Sequence, residues 1–401
     1  MNNATEPPTK RKLSRPMLAR SPKESHRAST PLELFFDLIF VVAISLNAAG
    51  LHHGIAENHV GSAVLSYLMQ FAVIWWAWMG FTWFASAFDA DDVPYRLLVF
   101  VQMAGALVIA AGIPAAFERF DLHLVTYGYI IMRIGLISLW LRAGKSNPAI
   151  RGTAHRYALG LAVMQLAWIA LLFAPKSWVL PLFFIFLVLE LLVPRWAEGH
   201  ARTSIHPEHI TERYSLFTII VLGESILATV NAIKNSMELG RLGGEVIAVV
   251  LCALLIVFSL WWLYFDKPKT DLETSSLKEG LWWGYGHYFV FASATAVGVG
   301  LSIAVEATTG QFKPPIALAQ WAIAVPVGAF LLSMWMVHFK AISHSVATTT
   351  AFPLAAFLIL LTPYLNGVLQ TIAATAIITC SLLSFFLLRF YHAAPNQHKY
   401  L

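Results

Sequence analysis

Polar and apolar positions divide the chain into twelve long apolar stretches, which are separated by short polar connections. A stretch of about 20 mostly apolar residues can cross the hydrocarbon core of a bilayer as one α-helix. The first stretch carries Glu33 and Asp37, and the eleventh is short and contains Pro353, so we expect these two to be the weakest spans. The predicted spans are residues 32–50, 62–86, 95–115, 122–142, 155–174, 178–196, 212–233, 243–265, 281–304, 316–338, 347–363 and 366–388.

Composition supports the same interpretation, because 58% of the 401 residues are hydrophobic and only 12% are charged. Soluble domains carry about 25% charged residues, and half that share cannot cover a water-exposed surface of this size. We therefore predict an all-α polytopic membrane protein and exclude soluble and disordered classes. Cys252 and Cys380 lie in apolar stretches and are too few for a disulfide framework or a zinc site.

The distribution of Lys and Arg predicts the orientation, since cytoplasmic loops carry an excess of both. With the N-terminus inside, 21 of the 27 Lys and Arg residues fall on the inner side and five on the outer side. Twelve spans also place both termini on one side. We therefore predict cytoplasmic termini, and we expect no cleaved signal because the segment before the first apolar run is too long.

The order of motifs suggests an internal duplication of six spans plus six. Trp75-Trp76-Ala77-Trp78 in the second span corresponds to Trp261-Trp262-Leu263-Tyr264 in the eighth, although chance similarity of apolar helices remains the alternative. Six spans are an even number, so the two repeats would be parallel. The predicted organisation is a basic, disordered cytoplasmic tail at 1–31, repeats at 32–196 and 212–388, and a cytoplasmic C-terminal tail at 389–401.

Small residues at helical spacing predict that the third and ninth spans pack near the centre of the bundle. Small faces let helix backbones approach closely in lipid. The residues concerned are Ala104 and Ala111 in the third span and Ala292, Ala296 and Gly300 in the ninth.

Four motifs together resemble a known family. They are Pro31-Leu-Glu-Leu-Phe-Phe-Asp37, the stretch from His209-Ile-Thr-Glu212-Arg213 to Gly223-Glu224-Ser225, Trp261-Trp-Leu-Tyr-Phe-Asp266, and Tyr285-Gly-His287-Tyr. Their order is similar to that of the bacterial low temperature requirement A (LtrA) family, and the resemblance covers nearly the whole chain after the tail. It implies a protein of the bacterial inner membrane. The family name describes a growth phenotype, so the resemblance does not define a molecular activity.

A second likeness is to the six-plus-six potassium channels of endosomes and bacteria. Their first helix carries an Arg and a Phe-Ser-Asp sequence. Here Phe36-Asp37 lacks the Ser, and Arg27 precedes the helix.

Ionisable residues inside spans are costly and mark either function or an ion pair. At about 1.5 Å per residue, Arg133 and Glu224 lie near the membrane midplane, and Glu190 lies somewhat nearer the inside. We therefore predict that Arg133 pairs with Glu224 or Glu190. Such a pair could line a solute path or could only hold helices together.

A second polar layer is predicted near the cytoplasmic face, where Asp37, Asp266 and His287 could converge and form a pH-sensitive gate. Each has a simpler interpretation: Asp37 as a helix cap, Asp266 as a residue at a helix end, and His287 as a hydrogen-bonded core residue. The other residues of this inner mouth are Glu33, His209, Glu212 and Arg213. The paired tryptophans Trp75, Trp76, Trp261 and Trp262 could line the path or form an interfacial belt.

Other polar groups give weaker signals. The acidic loop of Asp89, Asp91 and Asp92 could hold Mg²⁺, but it has no second acidic group to complete a site, and the histidine spacings match no standard metal motif. We therefore predict no metal, no cofactor and no catalytic residues. The basic excess lies in the tail and inner loops, so it indicates orientation and not nucleic-acid binding.

The sequence thus favours a transporter or channel for an ion or small solute. A membrane scaffold or regulatory protein is the first alternative, and an intramembrane lipid-modifying enzyme is the second. Enzymatic activity is left open but is not favoured. The predicted partners are the lipid bilayer and the solute, and a homo-oligomer is left open.

Overall fold

A computed structural model describes residues 13–21, 24, 27–266, 276–339 and 346–392. In these residues the fold is all-helical, with twelve α-helices and no strand, so the all-α class is confirmed, whereas the arrangement in two repeats is not shown. A turn of π-helix at Trp335–Phe339 follows α10. The helices are α1 Pro31–Ala56, α2 Val60–Ala87, α3 Val93–Arg119, α4 His123–Ser146, α5 Arg151–Leu171, α6 Lys176–Glu198, α7 Pro207–Glu238, α8 Gly244–Phe265, α9 Leu277–Thr308, α10 Ile316–Met334, α11 Val346–Leu361 and α12 Val368–His392.

Ten of the described helices are long and apolar enough to cross a membrane, which supports a multi-pass membrane protein. The exceptions are α5 and α11. The eleventh span is weak as expected, because α11 has 16 residues and contains Pro353. The first span is stronger than expected: α1 has 26 residues, and its two acids lie near its beginning.

The described chain divides into two compact units. Unit 1 comprises Met1–Ile39, Ala77–Ala111 and Leu122–Ile210, and unit 2 comprises Phe40–Trp76, Gly112–Asp121 and Thr211–Leu401. This division does not follow the boundaries of the two expected repeats, whose parallel arrangement stays a prediction.

Helix packing in unit 1 depends on glycine at one crossing. A Cβ on Gly105 of α3 would lie 2.6 Å from the carbonyl oxygen of Gly128 in α4, so both positions need glycine for this approach. Ala104 and Ala111, which the sequence placed on the packed face of α3, are exposed instead. The close contact with α4 is made instead by Gly105, the residue that follows Ala104.

Helix ends meet at one pole of unit 1. Arg142 at the end of α4 donates from Nη1 to Asp92 Oδ1 before α3 (2.9 Å), and Thr153 in α5 donates to the Ala201 carbonyl after α6 (2.7 Å). Ser86 near the end of α2 accepts from the backbone N–H of His206 before α7 (3.0 Å). The ends of even helices thus lie beside the starts of odd helices, as successive membrane crossings require.

Part of the tail that was expected to be disordered is packed at this pole. The Met17 side chain is buried, its backbone N–H donates to Ser146 Oγ (3.0 Å), and its carbonyl accepts from Asn147 Nδ2 (2.7 Å). We call residues 13–21 the N-terminal strap. Residues 1–12, 22–23, 25–26 and the tail from 393 to 401 lie outside the described residues.

Helix α9 is the most buried of the apolar helices in unit 2, with 83% of its apolar window inside the protein. A Cβ on Gly300 would overlap the carbonyl oxygen of Ala322 in α10, and one on Gly298 would lie 2.5 Å from Ser225 Cα in α7. The prediction that the ninth span is central is therefore confirmed within this unit. At the ends of α1 and α9, His52 Nε2 lies 3.0 Å from Glu306 Oε1.

Candidate functional site

The clearest polar group inside the membrane helices of unit 1 is an ion pair between Arg133 of α4 and Glu190 of α6. Both side chains are buried, and Arg133 Nη2 donates to Glu190 Oε1. Trp168 of α5 donates from Nε1 to Glu190 Oε2 (2.9 Å), and the Tyr129 ring lies 5.5 Å from Arg133 Cζ. Both carboxylate oxygens therefore accept hydrogen bonds, which offsets much of the cost of burying the charges.

The sequence predicted a partner for Arg133 but could not choose between two acids. Glu190 is that partner, whereas Glu224 belongs to unit 2 and lies on α7. Beside Glu224, Ser225 donates to the Ala294 carbonyl of α9 (3.0 Å). The Gly-Glu-Ser motif therefore anchors α7 to α9, and a role of Glu224 in a solute path stays a prediction.

Glu33 and His209 form a second buried pair at the pole of unit 1. His209 Nε2 lies 3.1 Å from Glu33 Oε1, and neither side chain is more than 1% exposed. Glu33 Oε2 also accepts from the backbone N–H of Thr30 (2.7 Å), while Thr30 Oγ1 accepts from the Glu33 N–H (3.3 Å). Glu33 thus completes a capping box at the start of α1 and also faces an imidazole.

Asp37 lies one turn further along α1 and is fully buried. Trp78 Nε1 donates to Asp37 Oδ1 (2.6 Å). The helix-cap interpretation of Asp37 is wrong, because α1 begins at Pro31 and Glu33 makes the capping contacts. Trp78 belongs to the tryptophan motif of the second span, and only its contact reveals that it positions an acid.

The acidic loop after α2 is bound by arginines. Arg20 Nη1 lies 3.2 Å from Asp89 Oδ2, and Arg96 Nε donates to Asp91 Oδ1 (2.8 Å). Burial and the neighbouring Glu33 raise the pKa of Asp89, and Arg27 and Arg20 oppose that shift. These contacts make the loop a structural ion-pair network.

The pKa of Asp92, the third acid of this loop, is shifted in the opposite direction. Its burial would raise its pKa, but hydrogen bonds from Arg142 and from the backbone N–H groups of Arg15 and Tyr95 lower it overall. Asp92 therefore stays ionised and ties the N-terminal strap to α3 and α4.

His287 of α9 lies in an aromatic cage within unit 2 and is fully buried. Its ring centroid lies 4.3 Å from that of Trp283, 4.8 Å from that of Tyr214 and 5.1 Å from that of His338. His338 lies in the π-helical turn after α10, and the sequence interpretation missed it because no motif surrounds it.

The remaining inner-mouth residues differ in their surroundings. Arg213 is fully buried in α7, Glu212 is partly exposed, and Asp266 is exposed at the C-terminal end of α8. Asp37 belongs to unit 1, while Asp266 and His287 belong to unit 2. The convergence of Asp37, Asp266 and His287 on one gate stays a prediction.

The two tryptophan pairs also differ. Trp75 and Trp76 are buried, and the Trp75 ring lies 5.6 Å from Tyr288 and 6.0 Å from Tyr285, so an interfacial belt does not describe them. Trp261 and Trp262 are 45% and 43% exposed, as residues of such a belt would be. A role in a solute path stays a prediction for both pairs.

Comparison with known proteins supports the resemblance found in the motifs. An uncharacterized protein of Rhizobium meliloti (strain 1021) is 30% identical over 288 residues, which cover 67% of this chain and 68% of that protein. The family described as "Bacterial low temperature requirement A protein (LtrA)" matches residues 28–385. This range includes the Arg133–Glu190 and Glu33–His209 pairs, the buried Asp37 and the aromatic cage of His287. The chain therefore belongs to the bacterial low temperature requirement A (LtrA) family.

Proposed function

We propose that this protein is a transporter or channel for an ion or small solute in the bacterial inner membrane. The observation that carries the proposal is the number of ionisable side chains buried within its apolar helices. A charge near the bilayer centre costs at least about 3 kcal/mol, so a chain retains one there for function or for a specific pairing. The buried groups are Glu33, Asp37, Arg133, Glu190, His209, Arg213, Glu224, His287 and His338.

Packing alone is a poor explanation for the whole set. Transmembrane helices can pack through small residues without any charge, as Gly105 and Gly128 do in this protein. Ionisable groups within membrane spans are instead typical of ion and proton pathways. The buried groups occur in both units.

We further propose that the pole of unit 1 faces the cytoplasm and that both termini lie there. The N-terminal strap and the helix ends at this pole carry Arg15, Arg20, Arg96, Arg142 and Arg156, and the positive-inside rule places such clusters in the cytoplasm. A single cysteine at Lys145 should then resist an impermeant thiol reagent in intact cells, and one at Glu57 should react. The reverse labelling pattern would contradict this orientation.

The transport proposal is tested with purified protein reconstituted in liposomes, using indicators for H⁺, K⁺, Na⁺ and Cl⁻. Glu190→Gln removes one buried charge, and the matched control Glu238→Gln alters a carboxylate that is 64% exposed at the end of α7. We expect a flux of at least one ion in the wild type, a reduced flux in Glu190→Gln and an unchanged flux in the control. Equal flux in protein-containing and protein-free liposomes would contradict the proposal.

A scaffold without turnover is the second candidate. The complete pairing of Glu190, which accepts from both Arg133 and Trp168, is what a purely structural pair would also show. The flux measurement separates the two candidates, because a scaffold requires no flux.

A further inference from the structure

Two buried histidines of unit 2 face each other at a distortion in a membrane helix. His287 lies on α9, and His338 lies on the π-helical turn Trp335–Phe339. Neither side chain has exposed surface, and their rings are nearly perpendicular with centroids 5.1 Å apart. The π-helical turn directly follows the last residue of α10, Met334.

One hydrogen bond fixes the tautomer of neutral His287. Its Nδ1 lies 2.8 Å from the carbonyl oxygen of Trp283, one turn earlier in α9. A carbonyl oxygen can only accept, so Nδ1 carries the proton and Nε2 is the basic nitrogen. A second proton on His287 would therefore be bound at Nε2, and the contact of Nδ1 with the Trp283 carbonyl would be kept.

The described surroundings of His287 within unit 2 are mainly aromatic. The rings of Tyr214, Tyr264, Trp283 and Phe291 have centroids between 4.3 and 6.1 Å from that of His287. Aromatic faces attract a cation at such distances. The other titratable groups among these ring contacts are His338 and the two tyrosines, whose hydroxyls are neutral near pH 7. The fully buried Arg213 directly precedes Tyr214 in α7.

The separation of the two imidazoles limits their charge. Two imidazolium ions whose rings lie 5.1 Å apart in a buried site would repel each other strongly. A single imidazolium, by contrast, can be stabilised by the rings around it. The pair can therefore bind one proton, which either of the two imidazoles can carry.

We propose that His287 and His338 form a site that binds and releases one proton, and that the ion moved or coupled by this protein is H⁺. The second part rests on the proposed transport function. In the binding step, an imidazole Nε2 lone pair takes up H⁺ to give imidazolium, and release reverses the step, so no other reactant is needed. Core packing alone requires only the ring shapes and not the proton.

The site itself is tested without any flux, by solid-state NMR of ¹⁵N-histidine-labelled protein in lipid bilayers. We expect an imidazolium signal that titrates between about pH 5 and 8 and that is lost in the double variant His287→Gln/His338→Gln. In each single variant the remaining histidine should titrate at a different pH, because its partner is gone. The control His52→Gln, which alters a half-buried histidine beside Glu306, should leave the signal in place. Two imidazoles that remain neutral down to about pH 5 in folded protein would overturn the site.

The coupling is tested in liposomes with an internal pH indicator and an imposed membrane potential. We expect H⁺ influx in the wild type and in His52→Gln, and its loss in His287→Gln and His338→Gln. A flux of another ion that is reduced in Glu190→Gln but unchanged in both histidine variants would overturn the coupling and leave the transport function intact. Absence of flux for every ion would instead overturn the transport function, and the NMR titration would still decide whether the proton site exists.

Discussion

Glu33 and His209, which lie in the first turns of α1 and α7, are buried and have 3.1 Å between Oε1 and Nε2. The carboxylate also caps α1 through Thr30, so one side chain joins a helix terminus to a neighbouring helix. A contact of this kind at the pole of unit 1 fixes α1 and α7 relative to each other there.

Removing the charge of Glu33 should destabilise the protein. Glu33→Gln keeps an oxygen for the Thr30 N–H but removes the carboxylate oxygen that faces His209, so we expect a loss of about 1–3 kcal/mol. Thermal unfolding in detergent measures the loss, and His209→Gln should produce a similar one. In the double variant the two losses should not add, because both remove one interaction. Independent, additive effects would show that the contact is not energetically important.

The Arg133 pair should respond differently to single and joint replacement. Glu190→Leu leaves a buried guanidinium and the Trp168 N–H without their acceptor, and we expect a loss of about 3–5 kcal/mol. The joint variant Arg133→Met/Glu190→Leu leaves no buried charge and should recover much of that stability. If the joint variant is no more stable than Glu190→Leu, desolvation of the pair is not the dominant cost. Unfolding temperatures of the three proteins in one detergent decide this.

Asp92 should make folding depend on pH in the acid range. Its pKa is lowered in the folded protein, so it contributes stability above the unfolded pKa of about 4, and this contribution is lost as pH falls through the folded value. Asp92→Asn should therefore be less stable than wild type at pH 7, and the difference should shrink with acidification. The control Asp91→Asn alters a 51% exposed carboxylate and should have little effect at either pH. A constant difference for Asp92→Asn at all pH values would contradict the charge-based explanation.

The N-terminal strap should be held against the end of α4. In a variant that lacks Cys252 and Cys380, cysteines at Met17 and Ser146 should form a disulfide under mild oxidation, because the Met17 N–H lies against Ser146 Oγ. Leu18 is 61% exposed, so the matched pair Leu18→Cys/Ser146→Cys should cross-link far less. Mass spectrometry of proteolytic peptides detects the bond. Equal cross-linking of both pairs would indicate a disordered segment.

The helices were predictable from the sequence because apolar length is a local property. A membrane helix must satisfy its backbone hydrogen bonds internally, so an apolar stretch of sufficient length fixes the element. The burial of α9 followed from its small residues, since close approach needs no knowledge of the partner. The packed face of α3 was predicted one residue away from its observed position. Apolar residues lie all around this helix, so the sequence does not define which side of it faces α4.

Partner choice inside the bundle could not be predicted for the same reason. Depth along a helix placed Arg133 level with two acids, but the rotation of α4, α6 and α7 decides which acid it meets. Trp168 and His338 carried no motif, and only tertiary packing reveals that they touch Glu190 and His287. The N-terminal strap was missed because many of its hydrogen bonds use backbone groups, which composition does not distinguish.

The central claim is that buried charge in this membrane protein supports the movement of an ion or small solute. The most direct measurement is ion flux into liposomes that contain equal amounts of folded wild type, Glu190→Gln or Glu238→Gln protein. The account predicts flux in the wild type and in Glu238→Gln and a clear reduction in Glu190→Gln. Equal flux in all three proteins, or no flux above that of protein-free liposomes, would contradict it.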